Sequence, residues 1–211
     1  MEIFVSAIGS GHTLCYPHNK GYSGVISIIV KNKDNNFLYS NKDQNEIYES
    51  KIKNVEYKYK KLIEIKESNS FYHNGKIILK EIDKLIEENK KIKFHIEISA
   101  SYKFIGHILT FIASLRYKNV NKLTFLRNNN ELSPIPIIFI NLNKKENNIF
   151  KEYYYEWLKE KNIKISRNKF VMEYKQNKSY LYRIFNKCKK NGLMDENNQI
   201  TDFGKLYLES N

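Results

Sequence analysis

Apolar residues recur in short runs and in helical stripes along the first part of the chain. Apolar or alternating runs predict strands at 2–9, 23–31, 56–65, 93–99 and 122–126. Apolar residues at helical spacing predict helices at 42–56, 74–91 and 102–119. The run SGVISIIVK is almost continuously apolar, which is typical of a strand buried on both faces of a parallel sheet. Strands that alternate with helices in this way predict an α/β fold with a mostly parallel sheet.

The pattern changes at residues 134–148, where the apolar run PIPIIFIN passes into an Asn- and Lys-rich stretch. Beyond it, the spacing favours short helices in IFKEYYYEWLKEKN, in SRNKFVMEY and at 178–191, followed by a hairpin and a last helix in TDFGKLYLES. We therefore predict an α/β domain over 1–140, a linker over 141–148 and a small second domain over 149–211.

The segment 178–191 carries the most informative pattern of the second domain. Asn177 or Ser179 is suited to cap a helix there, and Gly192 stands where a left-handed C-terminal cap belongs. The apolar stripe consists of Leu181, Ile184, Phe185 and Cys188. Another face, free of acidic residues, carries Ser179, Tyr182, Arg183, Asn186, Lys187 and Lys190. A helix with one packed face and one basic face can lie along a phosphate backbone or in a major groove.

The elements around this helix decide between two interpretations. SRNKFVMEY supplies a preceding helix at helix-turn-helix spacing, and GLMDENNQITDFG has the order strand, turn, strand, helix. Taken alone, the basic helix fits a solvated cationic surface equally well. The whole order predicts a winged helix-turn-helix domain that binds double-stranded DNA.

Charge favours an anionic partner but does not locate it. The 211 residues include 36 Lys and Arg against 23 Asp and Glu, a formal net charge of +13. Residues 147–211 hold 13 basic against 8 acidic residues, and the remainder holds 23 against 15, so the excess is spread over both domains. A composition rich in Lys, Ile and Asn also results from AT-rich coding alone.

The cysteines and the apolar segments of the sequence indicate the cellular compartment. Cys15 and Cys188 form neither a disulfide framework nor a metal-binding pair. We expect no metal site, no membrane association, no signal peptide at MEIFVSAIG and a cytoplasmic location.

Small residues follow two of the predicted strands. AIGSGHT comes after the first strand, and SASYK, residues 99–103, opens the helix predicted at 102–119. Open α/β sheets bind ligands beside the carboxyl ends of such strands, and a helix N-terminus with Lys103 could hold a phosphate. Alternatively, Ser99 or Ser101 only caps the helix and Lys103 is solvated.

This order of elements resembles the CARF–winged-helix proteins, in which a CRISPR-associated Rossmann fold (CARF) precedes a winged helix, as in the archaeal Csa-type transcriptional regulators. The family motif Ser/Thr-Gly-Gly-Thr/Ser-Lys/Arg corresponds to SASYK, where Ser99 and Lys103 match, Ala100 and Ser101 replace the glycines and Tyr102 replaces the small hydroxyl. The resemblance implies a Rossmann-like domain, a homodimer, a role in CRISPR-Cas antiviral defence, and cyclic oligoadenylate, such as cyclic tetra-adenylate, as a regulatory ligand. The implied ligand-binding residues are Ile8, Gly9, Ser10, Ser99, Ala100, Ser101, Tyr102 and Lys103.

Two alternatives to a ligand-regulated DNA-binding protein stay open. One is a ring nuclease, in which Lys103 stabilises a developing phosphate charge while a ribose 2′-hydroxyl of the bound cyclic oligoadenylate attacks. The other is a regulator whose altered pocket has lost its ligand. All five histidines precede Arg116, the first arginine, so the Arg-to-His spacing of HEPN nucleases is absent, as are a zinc motif and a P-loop. No catalytic residue is therefore assigned.

Overall fold

The chain divides into two compact units, Met1–Phe139 and Ile140–Asn211. The computed structural model describes residues 1–8, 21–31, 56–99, 103–126, 132–137, 140, 142–159, 167–174 and 177–210. The helix predicted at 42–56 lies outside these residues, apart from Glu56.

The first unit contains a six-stranded, mostly parallel sheet. Its strands are β1 (Glu2–Ala7), β2 (Gly24–Lys31), β3 (Tyr59–Lys66), β4 (Lys93–Glu97), β5 (Val120–Leu126) and β6 (Leu132–Pro134). Their order is β3-β2-β1-β4-β5-β6, the order of Rossmann-type doubly wound sheets. β1 to β5 pair in parallel, whereas β6 runs antiparallel to β5. The predicted α/β class and parallel sheet are confirmed.

All five predicted strands are present, and the structure adds β6. Periodicity does not predict β6, because only three residues form it and it ends at Pro134. Proline has no N–H to donate to the hydrogen-bond ladder of a sheet, so within sheets it is found at edge strands such as β6. β2 is buried along nearly its whole length, as its continuous apolar run predicts.

Two described helices, α1 (Phe71–Glu88) and α2 (Lys103–Leu115), belong to the first unit. α1 begins three residues earlier than predicted, because the Ser70 side chain accepts a hydrogen bond from the His73 backbone N at 3.2 Å and caps the helix. α2 approaches β4 closely at Gly106, where a Cβ would lie 2.9 Å from the Ile98 carbonyl oxygen. Arg116, just after α2, donates to both carboxylate oxygens of Asp83 and joins the two helices.

The second unit consists of four described helices and one hairpin bridge. The helices are α3 (Lys144–Lys159), α4 (Arg167–Glu173), α5 (Lys178–Lys190) and α6 (Asp202–Glu209). The predicted hairpin is reduced to one antiparallel bridge between Met194 and Ile200. α3 starts within the segment predicted as a linker, because Asn143 and Glu146 cap each other: each backbone N donates to the other side chain at 2.9 Å.

Aromatic rings join α3, α4 and α5. The Tyr153 ring centroid lies 5.1 Å from that of Phe170 and 5.0 Å from that of Phe185. All three side chains are buried. The Tyr153 hydroxyl also donates to the Asn198 carbonyl oxygen at 3.0 Å, which ties α3 to the hairpin turn. A small unit of this size depends on such large buried rings for its stability.

Candidate functional site

The first candidate site lies where the strand order reverses, between β1 and β4. These strands are parallel neighbours, with Val5 opposite Ile96, so their carboxyl ends meet at one edge of the sheet. Ile8 follows β1, Ser99 lies two residues beyond β4, and the exposed Lys103 begins α2. Ligands of open α/β sheets bind at such a reversal. The other residues predicted here, Gly9, Ser10, Ala100, Ser101 and Tyr102, lie outside the described residues.

Ile8 supports this edge from the core. It is 1% exposed and packs with Phe4, Val25 and Ile29. Its backbone N donates to the Ile28 carbonyl oxygen at 2.7 Å, which extends the pairing of β1 with β2. A ligand at the edge would therefore rest above Ile8 and would not be held by its side chain.

A buried carboxylate organises the end of β4. Glu97 is fully buried and accepts hydrogen bonds from the Ser99 backbone N at 2.7 Å and from the Ser99 hydroxyl. It also accepts one from the Ser6 hydroxyl of β1 at 2.9 Å. A charge removed from water requires such donors, and here they come from β1 and from the segment just after β4. Glu97 thus joins β4 to β1 and holds the start of the SASYK segment.

The motifs of the sequence do not assign Glu97 to this site, although the sequence carries a signal for it. An acidic residue inside the apolar strand KFHIEIS is unusual, since carboxylates are almost never fully buried without partners. Its partner Ser6 is 91 residues away in the chain, so no local pattern identifies the pair.

Ser27 occupies the next place in the same polar row. It is opposite Ser6 in the register of β1 and β2 and is fully buried. Unlike Ser6, its Oγ has no hydrogen-bond partner among the residues that the structure describes. Among these residues, no hydrogen bond therefore compensates for the removal of this hydroxyl from water, which lowers the stability of the fold.

His95 forms a separate buried network on the same face of the sheet. Its Nε2 lies 2.8 Å from the Thr124 hydroxyl, and its Nδ1 is hydrogen-bonded to the Tyr22 hydroxyl. Burial, and then the charge of Glu2, raises the pKa of Tyr22. Both ring nitrogens of His95 are hydrogen-bonded to side chains of the same unit, so we assign this histidine a structural role. Within the described ranges, no group of His, Cys, Asp and Glu side chains is placed to hold a metal ion.

The second candidate site is one surface of α5, which we call the basic face. The six residues predicted to contact DNA line a single concavity of about 600 Å³: Ser179, Tyr182, Arg183, Asn186, Lys187 and Lys190. The predicted apolar stripe of α5 is fully buried on the other side. Asn177, and not Ser179, caps the helix, and Gly192 has the left-handed φ of 69° predicted for it.

Lys187 differs from the rest of the basic face. Its Nζ lies 2.7 Å from Oε2 of Glu146, whose side chain is only 6% exposed. Burial would raise the pKa of Glu146, but the hydrogen bonds from Lys187 and the Asn143 backbone N and the charges of Lys187 and Arg183 outweigh it and lower the pKa. This ion pair fixes α5 against the start of α3.

Tyr180 brings two further cations together beside the basic face. The Nζ of Lys145, at the start of α3, lies 5.2 Å from the centre of the Tyr180 ring. The Cζ of Arg183 lies 5.1 Å from the same centre. Both distances are within the range of cation–π attraction. Local sequence patterns do not identify Lys145, because none of them relates α3 to α5.

The hairpin after α5 carries the opposite charge. Asp195 and Glu196 are exposed at its turn, and the Glu196 side chain is 95% exposed. The Nζ of Lys189 donates to the Glu196 carbonyl oxygen at 2.8 Å and lies 3.6 Å from its carboxylate. The hairpin therefore presents acidic groups beside a basic helix.

Within the described ranges, no helix is both long and apolar enough to cross a membrane.

No protein-family profile matches the chain, and no curated protein matches it. Among solved structures, the chain is similar to Enterococcus italicus Csm6 bound to cyclic hexa-2'-fluoro-hexa-dAMP, at 9% sequence identity and a TM-score of 0.49. The similarity covers 92% of this chain and 56% of that chain, so this chain spans little more than half of that protein's length.

Proposed function

We propose that the protein is a homodimeric transcriptional regulator of a CRISPR-Cas system. Its second unit would be a winged helix-turn-helix domain that binds double-stranded DNA, and its first unit a CARF-like domain that senses cyclic oligoadenylate. The observation that carries the proposal is the basic face, where six polar and basic residues of one helix line a single concavity. The opposite stripe of that helix is buried.

The arrangement of α4 and α5 supports DNA binding. α4 ends at Glu173 and α5 begins at Lys178, the short connection that a helix-turn-helix requires. The buried stripe holds α5 on the aromatic core, so its basic face is presented on a rigid support. Arg183, Asn186 and Lys190 are exposed there and can reach base edges or phosphates in a major groove. We assign Lys187 to the support of α5, because its ammonium group is bound to Glu146.

The edge between β1 and β4 supports ligand binding. Ser99 is held by Glu97 at the end of β4, and Lys103 follows at the start of α2. A cation beside a helix N-terminus suits a phosphate group of the proposed ligand. We keep the remaining predicted residues of this edge in the proposed site, with Ile8 beneath it.

The DNA-binding half is tested by fluorescence anisotropy with duplex DNA at several salt concentrations. Arg183→Ala with Lys190→Ala should weaken binding and flatten the plot of log affinity against log salt by about 0.9 for each DNA phosphate that is no longer neutralised. A matched control, Lys151→Ala with Lys205→Ala, removes the same charge from α3 and α6. An equal loss of affinity in both variants would refute the assignment of the basic face.

The sensing half is tested by calorimetric titration with cyclic tetra-adenylate and chromatography of the recovered nucleotide. We expect the wild-type protein to bind the nucleotide and to leave it intact. We expect Lys103→Ala to lose this binding. Recovery of linear products would indicate ring-nuclease activity in place of sensing. Absence of binding would leave the DNA-binding half as the function of the protein. Light scattering of the same sample measures the proposed dimer.

A further inference from the structure

We propose that Lys145, at the start of α3, completes the DNA-binding surface, and that the acidic hairpin stays away from the DNA. The proposal rests on the proposed DNA binding of the second unit and names a contact that the basic face does not include. In this arrangement the phosphate backbone passes over Lys145, Tyr180 and Arg183, at the start of α3 and near the start of α5.

The shared ring is the first observation. Lys145 Nζ and Arg183 Cζ lie 5.2 and 5.1 Å from the centre of Tyr180, so one aromatic side chain attracts a cation from each of two helices. Lys145 and Arg183 are both exposed, and their charged groups stay accessible to solvent. Long cationic side chains lose rotamer freedom when they bind, and cations already held by a ring lose less.

The ion pair between Glu146 and Lys187 is the second observation. Glu146 follows Lys145 directly and joins the start of α3 to α5 through Oε2, at 2.7 Å from Lys187 Nζ. Lys145 therefore has a fixed position relative to the basic face. Glu146 itself is 5% exposed and engaged by a cation and a backbone N, so its charge is largely neutralised before DNA arrives.

The charge of the hairpin is the third observation. In a winged helix the hairpin is the usual second contact with the backbone, but here its turn presents Asp195 and Glu196. An exposed carboxylate beside a phosphate is repulsive, most strongly at low salt. Lys189, near the end of α5, is already bound to Glu196 of this turn. The Lys145 side of α5 is thus electrostatically the better support for a phosphate backbone.

The test compares single variants of the full chain in duplex-DNA anisotropy across a salt series. Lys145→Ala should lower affinity severalfold and flatten the salt slope by about 0.9, the value for one phosphate contact. Lys151→Ala is the matched control, since it removes a lysine from another face of the same helix. Tyr180→Leu should lower affinity with little change in slope, because it frees both cations without removing charge. Thermal unfolding of each variant confirms that the fold is retained.

Glu196→Gln tests the hairpin. If the hairpin is remote from the DNA, this variant should bind with nearly wild-type affinity and slope. A clear gain in affinity would place the acidic turn beside a phosphate and overturn the proposal, as would an unchanged affinity in Lys145→Ala. If Arg183→Ala weakens binding while Lys145→Ala does not, only this inference fails. If the wild-type protein does not bind duplex DNA, the proposed function fails with it.

Discussion

At the scale of single residues, Ser6 and Ser27 show how one hydroxyl can stabilise a fold and its neighbour can burden it. They are opposite each other in register, yet Ser6 donates to Glu97, whereas Ser27 has no partner within the described part of the chain. Ser6→Ala should lower the stability of the sheet by about 1–3 kcal/mol, because a buried carboxylate loses a donor. Ser27→Ala should leave the stability unchanged or raise it, because an uncompensated hydroxyl is removed.

Hydrogen exchange of peptides from β1, β2 and β4 measures this pair of variants, since it reports on the first unit by itself. The two serines serve as controls for each other, because each substitution removes the same atom from the same row. Equal destabilisation by both would show that Ser27 has an unseen partner and would contradict the assignment.

Cys188 illustrates how burial sets reactivity. It is fully buried in the stripe of α5, and this burial, together with the charge of Glu146, raises the pKa of the thiol to about 12. The thiolate is the reactive form, so Cys188 should be alkylated by iodoacetamide far more slowly in the folded protein than in denaturant at about pH 8. Mass spectrometry of the Cys188 peptide measures both rates, and the Cys15 peptide is quantified separately. Comparable rates would mean that the α5 stripe opens readily.

At the scale of elements, the close approach of α6 to the hairpin depends on one glycine. A Cβ at Gly204 would lie 2.2 Å from the Leu193 carbonyl oxygen and 2.8 Å from Ile200. Gly204→Ala should therefore destabilise the second unit by about 1–3 kcal/mol through overpacking. Gly192→Asn is the control, because that site has open space and a φ of 69° that Asn tolerates. Equal effects in urea unfolding would show that the α6 contact is not tight.

The capping box of α3 predicts a pH dependence of the second unit. The folded-state pKa of Glu146 is lowered from its ordinary value of 4.5, so its stabilising effect is fully present above that value. The effect is lost as pH falls through the lower, folded-state pKa. Glu146→Gln keeps an acceptor oxygen and removes the charge, and should cost about 1.5–3 kcal/mol at about pH 7. The difference from wild type should shrink below pH 4.5.

Hydrogen exchange of peptides from α3 and α5 measures that difference across the pH range. Glu196→Gln is the control, because its carboxylate is 95% exposed and should contribute little at any pH. A difference that stays constant on acidification would mean that Glu146 acts through its shape and not through its charge.

Periodicity predicted the elements well where many residues shared a pattern. The two faces of α5 follow from spacing alone, and both are confirmed by burial. β6 was missed because three residues are too few to show a period. α3 starts earlier than its sequence pattern predicts, within the segment predicted as a linker. The reciprocal capping of Asn143 and Glu146 starts the helix there, in a stretch whose polar sequence shows no period.

At the scale of the whole molecule, the sequence predicts one group of residues at the carboxyl ends of β1 and β4. The prediction required β1 and β4 to be neighbours, and they are. The sequence does not reveal two contacts between residues far apart in the chain: that of Glu97 with Ser6 in the first unit, and that of Lys145 with Tyr180 in the second. Such contacts are decided by packing and register, which local patterns do not encode.

The proposed function joins two binding events in one chain, and thermodynamic linkage restricts what they can do to each other. If cyclic tetra-adenylate changes the affinity for duplex DNA by some factor, then DNA must change the affinity for the nucleotide by the same factor. Regulation of useful size corresponds to a factor of about 5–150. Anisotropy with and without nucleotide gives one factor, and calorimetry with and without DNA gives the other.

Lys103→Ala is the matched control for this coupling, because it should abolish the nucleotide effect while leaving DNA affinity in the absence of nucleotide unchanged. In the wild-type protein, we expect the change in DNA affinity and the change in nucleotide affinity to be the same factor, and this factor to differ from one. We expect neither change in Lys103→Ala. Nucleotide binding with both factors equal to one would refute the regulatory role, because a ligand with equal affinity for both states of a protein shifts neither. In that case the two units would bind their partners independently, and the nucleotide would not control occupancy of the DNA.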